Sequence, residues 1–365
     1  MIAKSLIRNA WYVAAFSEEI GRGQISGQTI ARKPILLWRD ESGRVAAFDN
    51  RCVHKRMPLS DGRLRNGQLE CSYHGLCYDH SGACVSVPAH PDGSIPAQAK
   101  LRPYPVIEQD GMIWVWPGDP TMSATAQPPR TPELVDARYE SIGCAPMQIP
   151  ANYLLLIENL LDITHFYPLH EGNIGDIENS RIPVEVEEGE EDGNRFVRTV
   201  RRVTDYKLPP YLSDWFGYET VDRIHTHCMM SPGLTRVEMQ VAPPGKLGTD
   251  ANRGYVLYHT HTPIDEVSHF WRWRINCIAS HRSGGDPNVS VASRIASNFP
   301  DVADQDRWAL EKQQQMFDYA DDGYSEVYLR TDKALRRARQ IFASMEEAEA
   351  ATAPRTVVPI VPVTA

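Results

Sequence analysis

The sequence predicts an α+β chain, with an all-β N-terminal domain followed by a larger domain whose antiparallel sheet is flanked by helices. Three observations carry that expectation. Short β-branched and aromatic runs, separated by turn-forming residues, fill the first third. A Pro/Ser/Thr/Ala-rich stretch follows. The remainder mixes long strand-like runs with segments of helical apolar spacing. At 365 residues there is room for about two domains of ordinary size. The expected divisions are a domain at 1–120, a linker at 121–140, a second domain at 141–350 and a tail at 351–365.

Each element has its own justification. ILLWRD (35–40), RVAAFDN (44–50) and MIWVWPGD (112–119) are strand-like, with DESG, DHSG and QDG as turn signals between such runs. NYLLLIENLLDITHFY (152–167) has helical apolar spacing. RFVRTVRRV, THCMMS, LTRVEMQVAPP, GYVLYHTHTP and HFWRWRINCIA follow as successive strands. Residues 301–320 and 331–350 are helix candidates. The tail, ATAPRTVVPIVPVTA, has three prolines and little charge, and is either disordered or draped over a neighbour.

A formal net charge of −9 counts against a nucleic-acid or anionic-membrane partner, which calls for a basic face. No apolar run reaches the ~20 residues that span a bilayer. The first residues lack a clean apolar core and a cleavage site, so they read as mature sequence, and the cytoplasm is the expected location. Seven scattered cysteines do not form a secreted disulfide framework. Cys52 and Cys71 alone fall in a ligand-like pattern; the other five are expected to be buried small hydrophobes, Cys77 among them.

CVHKRMPLSDGRLRNGQLECSYHGLCYD (52–79) holds that pattern. Cys52 and His54 form C-x-H, and Cys71 and His74 form C-x-x-H. Thiolates and imidazoles bind zinc or an iron–sulfur cluster. Zinc is the plainer assignment, but each pair mixes one Cys with one His. That mixing suits two irons, one taking both thiolates and the other both imidazoles. Pro58 and Gly75 can shape two facing loops. The stretch resembles the Rieske [2Fe–2S] motif. The resemblance implies that Cys52 and Cys71 bind one iron, and His54 and His74 the other. Neutral imidazoles in place of two thiolates raise the cluster's potential.

ENLLDITHFYPLHEG (158–172) suggests where the electron goes. Asn159, Asp162 and His165 are spaced to line one helical face, and Pro168 is expected to end or kink the helix so that His170 swings back. Two histidines plus a carboxylate from elsewhere make the facial triad of non-haem Fe(II) oxygenases, which leaves positions open for O₂. Read with the upstream motif, the segment resembles the D-x-x-H-x4-H signature of Rieske non-haem iron oxygenases. The resemblance implies that His165 and His170 bind a mononuclear Fe(II). Asp162 matches the family's aspartate that bridges to the Rieske histidine of an adjacent subunit. The remaining ligand is expected among Asp301, Asp304 and Asp306, with Asp306 preferred because Gln305-Asp306 followed by Glu311 fits the family's pattern best. Capping of a helix N-terminus is the other reading of Asp301 and Asp304.

His225-Thr-His227 and His259-Thr-His261 alternate on predicted strands, and most of these four are expected to be exposed or core histidines. His259, before T-P-I-D-E, resembles the substrate-binding histidine of the dicamba monooxygenase type. Trp271 and Trp273 could wall the same pocket or pack in the core.

The likeness extends to R-N-A-W-Y-V-A-A (8–15) and V-W-P-G-D-P (115–120), and is strongest to the vanillate and dicamba O-demethylase branch. It implies a Rieske domain feeding a catalytic domain and O₂ as co-substrate. It also implies a separate ferredoxin or NAD(P)H reductase, a small aromatic substrate and a homotrimer. The expected reaction is O- or N-dealkylation with aldehyde release. Ring or benzylic hydroxylation, and a non-catalytic electron carrier or zinc module, are the alternatives.

Overall fold

The computed structural model describes residues 4–317, 319 and 324–352. Eleven strands build the N-terminal part: β1 Tyr12–Phe16, β2 Gln24–Ile30, β3 Lys33–Arg39, β4 Val45–Asp49, β5 Arg63–Arg65, β6 Gln68–Glu70, β7 Cys77–Tyr78, β8 Cys84–Ser86, β9 Pro103–Tyr104, β10 Val106–Gln109 and β11 Met112–Val115. They form three sheets, ordered β1-β11-β10, β2-β3-β4-β9 and β5-β6-β7-β8. The last carries both Cys/His loops. Its core gathers Leu36, Trp38, Phe48, Leu69 and Tyr78 around the two cysteines.

Strands β12 Tyr139–Gly143 and β13 Met147–Ile149 open the second part, followed by helices α1 Tyr153–Leu161, α2 Phe166–Leu169 and α3 Ile177–Arg181. Next come β14 Glu185–Glu191, β15 Asn194–Lys207, α4 Pro210–Phe216, β16 Thr220–Ser231, β17 Leu234–Ala242, β18 Arg253–Asp265 and β19 Ser268–Ile278. Two long helices, α5 Val291–Phe317 and α6 Lys333–Thr352, complete the described chain. The sheet order is β12-β19-β18-β17-β16-β15-β14, with β13 also on β19. Every pairing in it is antiparallel, as the α+β expectation required. Apolar residues alternate inward along β17 and β19 and meet the faces of α1, α4 and α5. A second cluster joins Ile7 and Tyr12 to Tyr153 of α1 and Phe342 of α6, fastening the N-terminal strands to the helical layer.

Several expectations need correction. The 152–167 helix stops at Leu161, because the Asp162 carboxylate accepts from the Thr164 amide and hydroxyl, both at 2.8 Å, and draws the backbone out of the helix. Pro168 does not end that helix; it lies within α2. Helix α5 begins at Val291, so Asp301, Asp304 and Asp306 are well inside it, and the N-terminal capping reading fails. Cys77 and Cys144 are only half-buried. At the C-terminus, α6 runs through Thr352, and the expectation for 353–365 lies outside the described residues.

Candidate metal centres and substrate cavity

The two Cys/His loops are near copies of each other. The Cys52 amide donates to the Met57 carbonyl and the Arg56 amide to the Cys52 carbonyl. In the second loop the Cys71 amide donates to Leu76 and the Gly75 amide to Cys71. Residues Arg56 and Gly75, each four past its cysteine, both take positive φ, +58° and +71°. Glycine does this without penalty, whereas Arg56 accepts strain to complete the turn. The result places both cysteines in the core and both histidines outside, with the His54 and His74 rings 4.4 Å apart. The Tyr78 hydroxyl lies 3.2 Å from Cys52 Sγ. Among the described residues, the set of His, Cys, Asp or Glu ligand atoms close enough for one ion is found elsewhere. Within the loops the two thiols face each other inside and the two imidazoles lie together outside, an arrangement of one sulfur pair and one nitrogen pair that suits a two-iron cluster.

The convergent set is His165, His170 and Asp306, whose ligand atoms lie within 4.8 Å of one another. The kink at Asp162 makes this possible. His165 precedes α2, His170 ends it, and Asp306 projects from the middle of α5. Asp306 Oδ1 is 3.5 Å from His165 Nε2 and 3.3 Å from His170 Nε2. His170 is fully buried. Its Nδ1–H donates to Gln305 Oε1 at 2.8 Å, which leaves the Nε2 lone pair inward, without a hydrogen-bond partner. Such an orphaned acceptor beside a buried carboxylate fits a divalent metal ion. Asn159 Nδ2 donates to Asp306 Oδ1 at 2.9 Å and orients it. Asp301 and Asp304 are exposed on the other side of α5. Asp162 Oδ2 stands 3.9 Å from His165 Nδ1.

A largely apolar cavity opens beside these residues, with Asn159, His165, Phe166 and Phe299 in its wall. His259 lines it too. The Trp271 indole N–H donates to His259 Nδ1 at 3.1 Å, so the proton of this neutral ring sits on Nε2. Burial, reinforced by His261, holds His259 well below the ordinary histidine range. Trp273 does not line the cavity; it packs 4.6 Å behind Phe299, so its assignment to substrate is withdrawn. The sequence reading also undervalued His225 and His227. Both line the cavity. His227 Nδ1–H donates to the Leu160 carbonyl at 2.6 Å, and its Nε2 then accepts from His225 Nε2–H at 3.0 Å. His261 is buried in the core. Asn179 of α3 and Tyr211 of α4 also contribute, from short helices with no sequence signal. Gln305 was visible beside Asp306, but its bond to His170 depends on the fold.

Comparison with known proteins agrees with this arrangement. Residues 10–105 match the Rieske [2Fe–2S] domain family, and residues 149–348 match the vanillate O-demethylase oxygenase C-terminal domain family. The vanillate O-demethylase oxygenase subunit of Pseudomonas sp. (strain HR199 / DSM 7063) is 32% identical over 73% of this chain and 75% of its own length. The oxygenase component of dicamba O-demethylase from Stenotrophomonas maltophilia is 44% identical, over 46% of this chain and 49% of that protein. A crystal structure of dicamba monooxygenase bound to 3,6-dichlorosalicylic acid superposes with a TM-score of 0.85 at 29% identity, covering 95% of this chain and 99% of that one. Among the described residues, no helix is long and apolar enough to cross a membrane. With a Rieske [2Fe–2S] domain joined to an oxygenase domain of the vanillate O-demethylase type, the chain belongs to the Rieske non-haem iron monooxygenases.

Proposed function

We propose that this chain is the terminal oxygenase of an oxidative O- or N-dealkylation acting on a small aromatic compound. The observation that carries the reading is the convergence of His165, His170 and Asp306 beside an apolar cavity. In this reading these three hold Fe(II), while Cys52, Cys71, His54 and His74 hold the cluster. Iron supplies O₂ activation, and the protein supplies position and dryness. Asn159 and Gln305 fix the ligands, and the apolar wall excludes water. His259 offers its Nε2–H to a substrate acceptor without adding charge. Hydroxylation of an O- or N-methyl carbon gives a hemiacetal or hemiaminal, which collapses to phenol or amine plus aldehyde.

Electrons come from a separate reductase or ferredoxin, since the sequence contains no dinucleotide-binding G-x-G-x-x-G. Exposed His54 and His74 suit delivery to a neighbouring subunit, with Asp162 as the bridge beside His165. Head-to-tail contacts of that kind close into a ring, here a homotrimer. The test is a screen of aromatic methyl ethers and N-alkyl compounds with a surrogate reductase, scoring aldehyde and ¹⁸O₂ incorporation. Ring hydroxylation without aldehyde would replace this reading with the alternative one.

A further inference from the structure

The kink after α1 releases one backbone carbonyl. In a continuing helix the Thr164 amide would donate to the Leu160 carbonyl, four residues back. It donates instead to the Asp162 carboxylate, at 2.8 Å. The Asp162 amide serves the two preceding carbonyls, those of Glu158 and Asn159, at 3.1 and 3.2 Å. Leu160 is left with a bare carbonyl in a residue only 8% exposed. A buried carbonyl without a donor is as costly as a lost hydrogen bond. His227 supplies the donor, with Nδ1 at 2.6 Å from the Leu160 oxygen.

That bond places every proton in the H-T-H pair. A carbonyl only accepts, so His227 carries its proton on Nδ1 and leaves Nε2 as an acceptor. His225 Nε2 lies 3.0 Å from that acceptor and donates to it. His225 Nδ1 is then the bare nitrogen, and it is buried without a partner. Burial above all keeps both rings neutral, pushing His225 well below the ordinary range and His227 down to about 3. Alternation along β16 turns both toward the cavity face.

Leu160 sits at the root of the segment that carries the iron-site residues. Asn159, one residue before it, donates to Asp306 Oδ1. Asp162 follows two residues later, and His165 five. The charges of Asp162 and His165 both act on His227, so the three are neighbours. On another side of the same helical turn, Arg339 of α6 donates to Glu158 at 2.8 Å. The last turn of α1 is thus gripped by α5 through Asn159, by α6 through Glu158 and by the sheet through His227.

We propose that His225 and His227 are a positioning dyad. His227 takes the carbonyl that the kink releases, His225 locks the His227 tautomer, and together they hold the chain from Leu160 to His165 in register with the iron site. This rests on the proposed function only for the roles of Asp162 and His165. Both rings also stand in the cavity wall, so that wall and the segment bearing Asp162 form one hydrogen-bonded unit.

The test compares His227→Leu with His227→Asn in the full-length protein. The two replacements are close in shape, and only asparagine carries an N–H near the place of Nδ1. Hydrogen exchange is followed on peptides covering residues 158–170. His227→Leu should speed exchange there about tenfold, and His227→Asn should restore most of the protection. His225→Leu, which removes the tautomer lock alone, should fall between the unaltered protein and His227→Leu. Loss of mononuclear iron to a chelator should also quicken about tenfold in His227→Leu and recover in His227→Asn, with the visible spectrum of the cluster unmoved. Unchanged exchange in His227→Leu would overturn the proposal. Equal losses in His227→Leu and His227→Asn, the mark of a ring needed only for its volume, would do so too, as would faster exchange with unchanged iron loss. If His227→Leu does not fold, the other two variants decide: exchange slower in His225→Leu than in His227→Asn, with His227→Asn far from the unaltered protein, would overturn it. An unaltered protein that takes up no mononuclear iron would sink the oxygenase reading, while exchange would still report on the dyad.

Discussion

The two metal regions use histidine in opposite ways. At the tip of the Rieske domain, His54 and His74 are exposed, and the loops that hold them are closed by bonds between residues four or five apart. In the oxygenase domain, His170, His225, His227 and His259 are buried, and their partners come from distant segments: Gln305 for His170, Leu160 for His227, Trp271 for His259. The first region is a local device with an outward edge, suited to passing an electron. The second is a dry chamber in which each ring's proton is placed by a hydrogen bond, suited to holding a ligand still. The difference teaches that burial and partner, more than residue type, decide what a histidine does.

The strongest way to break this comparison is to remove one ligand from each region. Cys71→Ser should lose the cluster's EPR and visible signature yet keep a mononuclear iron, and Asp306→Ala should do the reverse. Both should abolish turnover. Loss of both centres in either variant would show that the regions are not independent. Next, Asp162→Asn should retain both metals while turnover falls about a hundredfold, the scale seen when a group that orients or connects catalytic parts is removed. Normal coupled turnover would rule out the bridging role.

Acid should distinguish the buried histidines from the exposed ones. Burial, with His269 nearby, pushes His261 down to about 3, and burial pushes His269 down to about 4, from an ordinary 6.5. The unfolded chain therefore takes up protons before the folded chain does as pH falls. Stability from these rings is whole above about pH 6.5 and is lost below it, by about 1.4 kcal/mol per pH unit for each ring. Urea unfolding followed between pH 7 and 5 measures this, and a flat stability profile would contradict it. A smaller effect is expected for Gln305→Leu, which removes the partner that fixes His170; iron retention against a chelator should weaken about 10–100-fold. The smallest belongs to Trp271→Phe. Loss of the bond that sets the His259 tautomer should raise KM about fivefold with little change in kcat, the size of one net hydrogen bond. A fall in kcat alone would move His259 out of substrate binding.

Much of this protein was legible in the sequence because some of its chemistry is local. C-x-H and C-x-x-H need only a short loop to converge, so Cys52, His54, Cys71 and His74 could be named before any fold was known. His165 and His170 share that advantage, being separated by a single turn of α2. The alternating runs of β15 to β19 were also visible, because period-two patterning survives wherever one sheet face is buried. Tertiary structure decided the rest. Asp306 could be preferred to Asp304 and Asp301 only by pattern. The geometric reason is that α5 starts ten residues before the predicted helix and turns Asp306 inward. The kink at Asp162 came from a carboxylate competing with the helix for backbone hydrogens, which apolar spacing does not encode. Trp273 left the cavity and His225 and His227 entered it because α5 brings Phe299 in front of one and α1 lays Leu160 against the other. Arg201 and Arg223 look like ordinary strand residues in sequence. That both are buried without a carboxylate in ion-pair contact, among the described residues, is decided only when the sheet, α3 and α4 close around them, because a missing countercharge is a property of three-dimensional surroundings and of no local motif.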